Sequence, residues 1–478
     1  MMKKLLSFLA ALGAVLLPAQ AKVTLPSFFS DNMVLQQQEK VAVWGWTDSG
    51  KKVTVKPSWT KAKTVAVPDA SGRWEARIAT PAAGGPYEIA FSDGDKLVLS
   101  NVLIGEVWFC SGQSNMEMPM KGFGRQPVEG SIEYIAGARK SLPIRMCTIK
   151  RSASLTEKDR CEGSWQENTP SAVAQTSAAA YFFAHRLQSV LDVPVGILIS
   201  NWGGSSIEAW MQREVIERDF AGEFDLSYFA ENKIPEKTRH KVPSLLYNGQ
   251  VAPLVPFTFK GILWYQGESN RHREEQYTRL QPAYVKMMRE KFQNPDAPFY
   301  FVQIAPFRYG GIDKYSSGYF YEAQAKTVSL IPGSGIVPTV DIGELGTIHP
   351  SRKKPVGDRL AYLALSKTYG VEGILAEAPS YKEVRFEGGK AIVTFHVDSM
   401  GLSPMGRELG GFELAGEDRV FHPAKGVLDS KKDVVIVTSD EVPAPVAVRY
   451  CFHNWCVGTL FNCFGIPALP FRTDDWKL

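Results

Sequence analysis

Two residues far apart in the chain could together carry out nucleophilic attack on a carbonyl carbon. Ser114 lies in the segment SGQSNM, where a glycine permits a tight turn. His349 lies between an isoleucine and a proline, and it could accept the proton of a serine hydroxyl because the pKa of histidine lies near neutrality. Either residue alone is weak support, since most loop serines and loop histidines are inert. Together they indicate acyl transfer to a serine.

Two further segments offer hydrogen-bond donors for an oxyanion. The pair Gly203-Gly204 lies in SNWGGSS, and glycines allow backbone N–H groups to approach a ligand closely. Gln266 lies in WYQGESN and carries a side-chain amide, while the N–H of Ser114 could face the same oxyanion. Three neighbouring polar residues are candidates to contact the substrate or support the site: Gln113, Asn115 and Glu268.

Each of these segments follows a short apolar run, and the runs alternate with helical patterns. The predicted strands are 101–110, 195–200, 260–265, 299–304 and 335–341, and the predicted helices are 176–191, 276–292, 319–330 and 354–368. Apolar strands alternating with helices are typical of a parallel sheet covered on both faces, where ligands bind beyond the carboxyl ends of the strands. The sequence therefore predicts an α/β fold that gathers the polar segments at one sheet edge.

Regions with strand-like alternation of apolar and polar residues flank this α/β part. Residues 22–100 predict an N-terminal β-sandwich, and residues 373–478 predict a C-terminal β module. We predict that both pack as accessory modules and that residues 101–372 contain all the chemistry.

Residues 1–21 are typical of a secretory signal peptide. They combine two lysines, a short apolar run and an Ala-Gln-Ala cleavage site, which predicts export to the periplasm or the medium. No later run of about 18 apolar residues predicts a membrane span. Cleavage lowers the formal charge from +4 by the two lysines, to +4 − 2 = +2, and this near-neutral balance argues against a nucleic-acid partner.

The six cysteines lack the spacing of zinc ligands, so no metal site is predicted. In an exported protein they could form disulfides, and the sequence is equally compatible with buried free thiols. The candidate pairs are Cys147 with Cys161, and one pair among Cys451, Cys456 and Cys463.

The chain resembles the sialate O-acetylesterases, a branch of the SGNH hydrolases. The matching stretches are GEVWFCSGQSNMEMPM at 105–120, SNWGGSSIEAW at 200–210, GILWYQGESN at 261–270, IHP at 348–350 with VGDRL at 356–360, and PFRTDDW at 470–476. The resemblance implies a three-layer α/β/α core, Ser114 as nucleophile, His349 as base and no metal or cofactor. It places the glycine donor at Gly203 or, preferably, Gly204, and the third donor at Gln266.

The resemblance leaves open which group orients His349. Many SGNH enzymes carry an aspartate three residues before the histidine, but that position is Gly346 here. Asp341 closes the last predicted strand and is a possible third member of a triad. The alternative, which we favour, is a Ser-His dyad with a backbone carbonyl accepting the imidazole N–H.

An acetylated sugar is the expected substrate. Sialic acid is the namesake substrate of the resembling family, and acetylated xylan or another plant glycan is the main alternative. An esterase for unrelated acyl esters and a non-catalytic glycan-binding protein are the alternatives of other kinds. Specificity is expected in the loops 220–241 and 309–318, and an arginine in the cleft would favour a sugar carboxylate. Candidates for that arginine are Arg125, Arg271 and Arg308.

Overall fold

A computed structural model describes residues 23–476, so the predicted signal peptide lies outside the described residues. The strands, in chain order, are β1 Val34–Gln36, β2 Lys40–Trp46, β3 Val53–Pro57, β4 Thr64–Ala66, β5 Arg73–Ala79, β6 Gly84–Ser92, β7 Lys96–Gly112, β8 Ile144–Thr148, β9 Trp165–Glu167, β10 Val195–Asn201, β11 Gly261–Tyr265, β12 Phe299–Val302, β13 Ser334–Val337, β14 Ser380–Glu387, β15 Lys390–His396, β16 Leu402–Ser403, β17 Leu409–Ala415, β18 Phe421–Asp429, β19 Val434–Thr438, β20 Ala447–Tyr450, β21 Phe461–Asn462 and β22 Phe471–Arg472.

The α-helices are α1 Ser114–Glu117, α2 Ser131–Ala136, α3 Pro170–Gln175, α4 Ala178–Leu191, α5 Arg213–Asp219, α6 Ser227–Ala230, α7 Glu274–Lys291, α8 Ser316–Leu330 and α9 Lys353–Leu363. Short 3₁₀ turns lie at Ile207–Trp210, Ala252–Leu254 and Glu268–Asn270, and π-helical turns lie at Tyr247–Val251 and Ala364–Thr368. No helix within residues 23–476 is long and apolar enough to cross a membrane.

The central sheet has the strand order β13-β12-β11-β7-β10-β8-β9. Its neighbours pair in parallel, except that β9 runs antiparallel to β8 at the edge. The α/β fold and all five predicted strands are therefore confirmed, while β8 and β9 extend the sheet beyond the prediction.

Helices cover both faces of this sheet because alternate residues of each strand point to opposite faces. Trp108 of β7 packs in a cluster with residues of α4 and α9, whereas the next residue, Phe109, packs with residues of α7 and α8. α4 begins two residues later than predicted, because Ser177 caps it by accepting a hydrogen bond from the N–H of Ala180.

The N-terminal strands join the central sheet through β7, which runs continuously through the predicted domain boundary at residue 100. The first part of β7 pairs with β6, and β1 pairs with it in parallel. Side chains of the N-terminal strands belong to the same apolar cluster as α7 and α8. The N-terminal region thus shares a hydrophobic core with the α/β part.

The C-terminal region forms an antiparallel sheet in the order β14-β15-β19-β18-β17-β20-β22. Its inward side chains, such as Leu414, Val435 and Val448, form a separate buried cluster. This antiparallel β module agrees with the prediction for the last hundred residues of the chain.

Candidate active site

The carboxyl ends of β10, β7 and β11 lie side by side. Gly112 at the end of β7 is in register with both Asn201 and Tyr265. Its φ is +144°, and a Cβ there would lie 2.1 Å from the Tyr265 carbonyl oxygen, so glycine is required. The chain then turns into α1, whose first residue is Ser114. The polar segments singled out in the sequence therefore meet at one edge of the sheet.

Ser114, His349 and Gln126 form a hydrogen-bonded row. The Nε2 atom of His349 lies 2.8 Å from the Oγ of Ser114, and its Nδ1 lies 2.9 Å from the Oε1 of Gln126. An amide oxygen can only accept, so Nδ1 carries the proton and the lone pair of Nε2 faces the serine hydroxyl. This is the tautomer that a general base for Ser114 requires.

The structure corrects the suggestion that Asp341 is the third member of the row. Both carboxylate oxygens of Asp341 accept hydrogen bonds from the guanidinium of Arg359, at 2.8 and 2.7 Å, and both side chains are buried. The favoured alternative, a backbone carbonyl at Nδ1, is also wrong, because the acceptor there is the side chain of Gln126. Asp341 instead anchors α9 to the end of β13.

Sequence reasoning missed Gln126 because it is 223 residues away from His349 along the chain. It lies in KGFGRQPVEG, a glycine- and proline-containing loop that directly follows the nucleophile segment. The only available signal was this nearness to Ser114, and a glutamine in such a loop is ordinarily a solvated side chain.

His349 is held in its neutral form. Burial is the main cause that lowers its pKa from 6.5 to about 4, and the positive charge of Lys353 adds to the effect. The ring of Phe123 packs edge-on against the imidazole, with the ring centroids 5.3 Å apart. A neutral imidazole is ready to accept the Ser114 proton across the physiological pH range.

A buried network attaches the His349 loop to the nucleophile segment. The Nδ2 of Asn115 donates to Glu268 Oε1 at 2.6 Å and to the carbonyl oxygen of Ile348 at 3.1 Å. The fully buried Lys353 donates to Asn115 Oδ1, and burial lowers its pKa to about 7. Burial also raises the pKa of Glu268. Asn115 and Glu268 therefore connect the His349 loop to the nucleophile segment.

The Gly203-Gly204 turn lies against the nucleophile. A Cβ on Gly203 would lie 3.4 Å from the Cβ of Ser114. The N–H of Gly203 donates to the carboxylate of Glu117, which also binds Arg151. The N–H of Gly204 has no hydrogen-bond partner among residues 23–476, which makes Gly204 the open donor of the pair. Its φ of +74° suits glycine.

Gln266 does not fit the role of an oxyanion donor. It is fully buried, and its Nε2 donates to the carbonyl oxygen of Ser205 at 3.1 Å and to the Oδ1 of Asn270 at 2.7 Å. Its Oε1 accepts from the hydroxyl of Tyr277 at 3.2 Å. Both amide hydrogens are occupied, so Gln266 positions the segment after β10 and leaves no hydrogen for an oxyanion.

We expect Gln266→Ala to lower stability more than catalysis. It leaves buried partners unpaired, which costs about 1–3 kcal/mol of unfolding free energy, while kcat changes less than about tenfold. Urea unfolding and acetate release measure the two effects. A loss in kcat of about 10²–10³ at unchanged stability would restore Gln266 as an oxyanion donor.

Gln113 offers a side-chain amide beside Ser114. Its Oε1 accepts from the backbone N–H groups of Gly267 at 3.2 Å and Ser269 at 3.4 Å. These bonds fix the amide, and its Nε2 has no hydrogen-bond partner within the described part of the chain. Gln113 is thus available to donate to a substrate oxygen.

The comparisons with known proteins agree with this geometry. The family model described as carbohydrate esterase, sialic acid-specific acetylesterase matches residues 104–362, more than half of the chain. The chain belongs to this family. It is therefore an ester hydrolase, and the matched residues include the whole Ser114–Gln126–His349 row.

The esterase is similar over most of its length to curated and solved relatives. It is 25% identical to the sialate O-acetylesterase of Mus musculus and 27% identical to that of Rattus norvegicus, covering 90% of this chain and 89% of each relative. A crystal structure of a carbohydrate acetylesterase from Xanthomonas citri superposes with a TM-score of 0.85 at 35% identity, covering 95% of this chain and 100% of that one.

The arginines considered from the sequence occupy different places in the esterase. Arg125 and Arg308 are exposed, whereas Arg271 is partly buried with its guanidinium 3.9 Å from the ring centroid of Tyr309. The sequence analysis missed Arg151, which binds Glu117 of the nucleophile helix and lies over the ring of Trp202.

One of the two expected specificity loops reaches the site. His240, from the loop 220–241, stacks on Trp202 with ring centroids 6.1 Å apart. A Cβ on Gly204 would lie 3.4 Å from the His240 imidazole. This loop therefore forms one wall beside the open oxyanion donor.

Proposed function

We propose that this esterase removes acetyl groups from sugars by acyl transfer through Ser114, with His349 as general base. The observation that carries the proposal is the 2.8 Å contact between Ser114 Oγ and a half-buried, neutral His349. Membership of the family supports an acetyl ester as the bond that is hydrolysed and a carbohydrate as the molecule that carries it.

The proposed reaction has two steps. Ser114 Oγ attacks the acetyl carbonyl carbon while His349 Nε2 takes its proton, and the N–H groups of Ser114 and Gly204 stabilise the oxyanion. His349 then returns the proton to the sugar oxygen, which leaves. Water, activated by the same imidazole, hydrolyses the acetyl-serine and regenerates the enzyme.

Gln126 is proposed as a positioning residue in this reaction. Its neutral amide fixes the His349 ring and tautomer, but it cannot compensate the charge of the imidazolium as a carboxylate would. The lowered pKa of His349 is consistent with this arrangement, since the two ring nitrogens are hydrogen-bonded to Ser114 and Gln126 rather than to a carboxylate.

We expect the esterase to stay active in acid. His349 accepts a proton only when neutral, and its pKa is lowered to about 4, so kcat/KM should fall only as the pH drops towards that value. The measurement is kcat/KM for an acetyl ester between pH 4 and pH 8, at constant ionic strength. A midpoint of the acid limb at or above pH 6.5, the ordinary pKa of histidine, would contradict a buried His349 that has no carboxylate partner.

Acetate release from a substrate panel tests the proposed function. The panel holds O-acetylated sialic acids, acetylated xylan and a long-chain acyl ester. We expect acetate from at least one acetylated sugar and much slower hydrolysis of the long-chain ester. Faster hydrolysis of the long-chain ester would favour an esterase for unrelated acyl esters, and binding of a glycan without acetate release would favour a non-catalytic protein. The preferred sugar decides between sialic acid and a plant glycan.

Export is part of the proposal. The signal-like residues 1–21 support delivery to the periplasm or the medium. Mass spectrometry of the mature N-terminus after expression with the full leader tests it: cleavage after Ala21 supports export, and a retained leader contradicts it.

A further inference from the structure

Two cysteines of the C-terminal module face each other across a short loop. The Sγ atoms of Cys451 and Cys456 lie 2.7 Å apart. Cys451 follows β20 directly and has a φ of +46°, a left-handed conformation that is uncommon for a residue other than glycine. The Cys451 side chain is buried, whereas Cys456 is partly exposed.

Gly411 of β17 provides the space for this pair. A Cβ at Gly411 would lie 2.6 Å from the Sγ of Cys451 and 2.9 Å from that of Cys456, so neither sulfur could keep its place beside a larger residue. The carbonyl oxygen of Gly411 also accepts a hydrogen bond from the backbone N–H of Cys451 at 2.7 Å. The two sulfurs are thus held together by the fold around them.

We propose that Cys451 and Cys456 form a disulfide in the mature esterase and that this bond fixes the loop 451–456. Cys463, the third cysteine of this region, is exposed, and its Sγ lies 3.0 Å from the carbonyl oxygen of Met400. The pairing therefore excludes Cys463. This inference is independent of the proposed acetylesterase reaction.

The bond forms by thiol–disulfide exchange with a small-molecule disulfide such as oxidised glutathione. The partly exposed Cys456, as its thiolate, attacks one glutathione sulfur, which gives a mixed disulfide and releases one glutathione thiolate. The Cys451 thiol then loses its proton and attacks the Cys456 sulfur, releasing the second glutathione. Two protein thiols are oxidised by two electrons, and one glutathione disulfide is reduced to two thiols.

The loop that this bond closes supports a second loop beside the catalytic edge. Asn454 is fully buried, and its Oδ1 accepts from Ser316 Oγ at 2.9 Å and from the N–H of Ser317 at 2.8 Å. Its Nδ2 donates to the carbonyl oxygen of Gly311 at 3.1 Å. A fixed 451–456 loop therefore restrains the segment 307–317, which overlaps the loop 309–318 that was expected to set specificity.

Peptide mapping of the wild-type esterase tests the bond directly. The protein is equilibrated with a mixture of oxidised and reduced glutathione, denatured in excess iodoacetamide and digested with trypsin. Cleavage after Arg449 and Arg472 places Cys451, Cys456 and Cys463 in one peptide. We expect Cys463 to be the one alkylated cysteine. The peptide should be two hydrogen atoms lighter than the same singly alkylated peptide with two free thiols. Alkylation of all three cysteines, or a bond that includes Cys463, would overturn the proposal.

Matched serine variants test the pairing and its consequence. Cys463→Ser should keep the two-hydrogen mass loss, whereas Cys456→Ser should abolish it. Hydrogen exchange of residues 307–317 should be faster in Cys456→Ser than in Cys463→Ser. Equal exchange rates in the two variants would contradict the role of the bond in fixing this segment. The wild-type mapping decides the bond itself even where a variant folds poorly.

Discussion

Ser114→Ala should abolish acetyl-ester hydrolysis while leaving the fold intact. Ser114 is only partly buried, and its hydroxyl is hydrogen-bonded to the His349 imidazole, so removal of the hydroxyl leaves the buried core unchanged. Loss of a serine that acts as a unit with its histidine lowers kcat by about 10⁶. The residual rate would come from substrate binding and the oxyanion donors alone.

Acetate release per mole of folded enzyme measures this effect, with thermal unfolding as the check on stability. Ser111→Ala is the matched control, because Ser111 lies three residues earlier and is buried within β7. We expect the control to keep wild-type kcat to within about tenfold. Similar losses in both variants would mean that Ser114 acts through structure, and substantial activity in Ser114→Ala would exclude it as nucleophile.

Gln126→Leu should lower kcat about 10²-fold with little change in KM. Removal of an orienting carboxylate costs about 10⁴ in a Ser-His-Asp triad, and the neutral Gln126 fixes the tautomer without stabilising the charge, so its loss should cost less. Leucine removes the acceptor for His349 Nδ1 while keeping a side chain of similar size.

Gln126→Glu distinguishes a role of Gln126 in positioning His349 from a purely structural role in packing. A carboxylate beside His349 favours the imidazolium, so it should raise the pKa of His349 above about 4 and move the acid limb of kcat/KM to higher pH. A merely structural Gln126 would leave that limb in place.

Asp341→Asn decides whether Asp341 or Gln126 is the third member of the row formed with Ser114 and His349. It leaves the buried Arg359 without its charge partner, so we expect a loss of about 3–5 kcal/mol in unfolding free energy. In the folded fraction, kcat should fall less than about tenfold, whereas a true triad member would cost about 10⁴. A 10⁴-fold loss from Asp341→Asn, with Gln126→Leu unaffected, would reverse the assignment.

The sheet could be predicted from the sequence because its signals are local. Each of the five predicted strands is a mostly apolar run followed by a polar turn, and parallel topology gathers these turns at one edge, which brought Ser114 and His349 together. The short strands β8 and β9 were missed because Ile144–Thr148 and Trp165–Glu167 lie in a loop-rich stretch without helices between them.

The details of the site depended on contacts that no local pattern records. Gln266 has the residue type of an oxyanion donor, but Asn270 and Ser205 occupy its amide in the folded chain. Asp341 lies at the edge of the sheet where the catalytic residues meet, but its carboxylate is paired with Arg359 of α9. Gln126 entered the site only because the folded chain brings its loop to His349.

Domain boundaries remain a prediction, although β7 shows why the boundary at residue 100 is physically difficult. A single strand pairs with β6 in its first part and carries the nucleophile turn at its end. The predicted N-terminal module is therefore continuous, through one backbone segment, with the strand that presents Ser114.

Covalent labelling with a fluorophosphonate tests most directly whether Ser114 is the nucleophile. Only a serine activated by a neighbouring base reacts rapidly with this reagent, and trypsin then releases the peptide 97–121, which contains Ser100, Ser111 and Ser114. We expect loss of acetate release in step with one adduct per chain, located on Ser114 by fragmentation. An adduct on another residue, or inactivation without modification of Ser114, would contradict it.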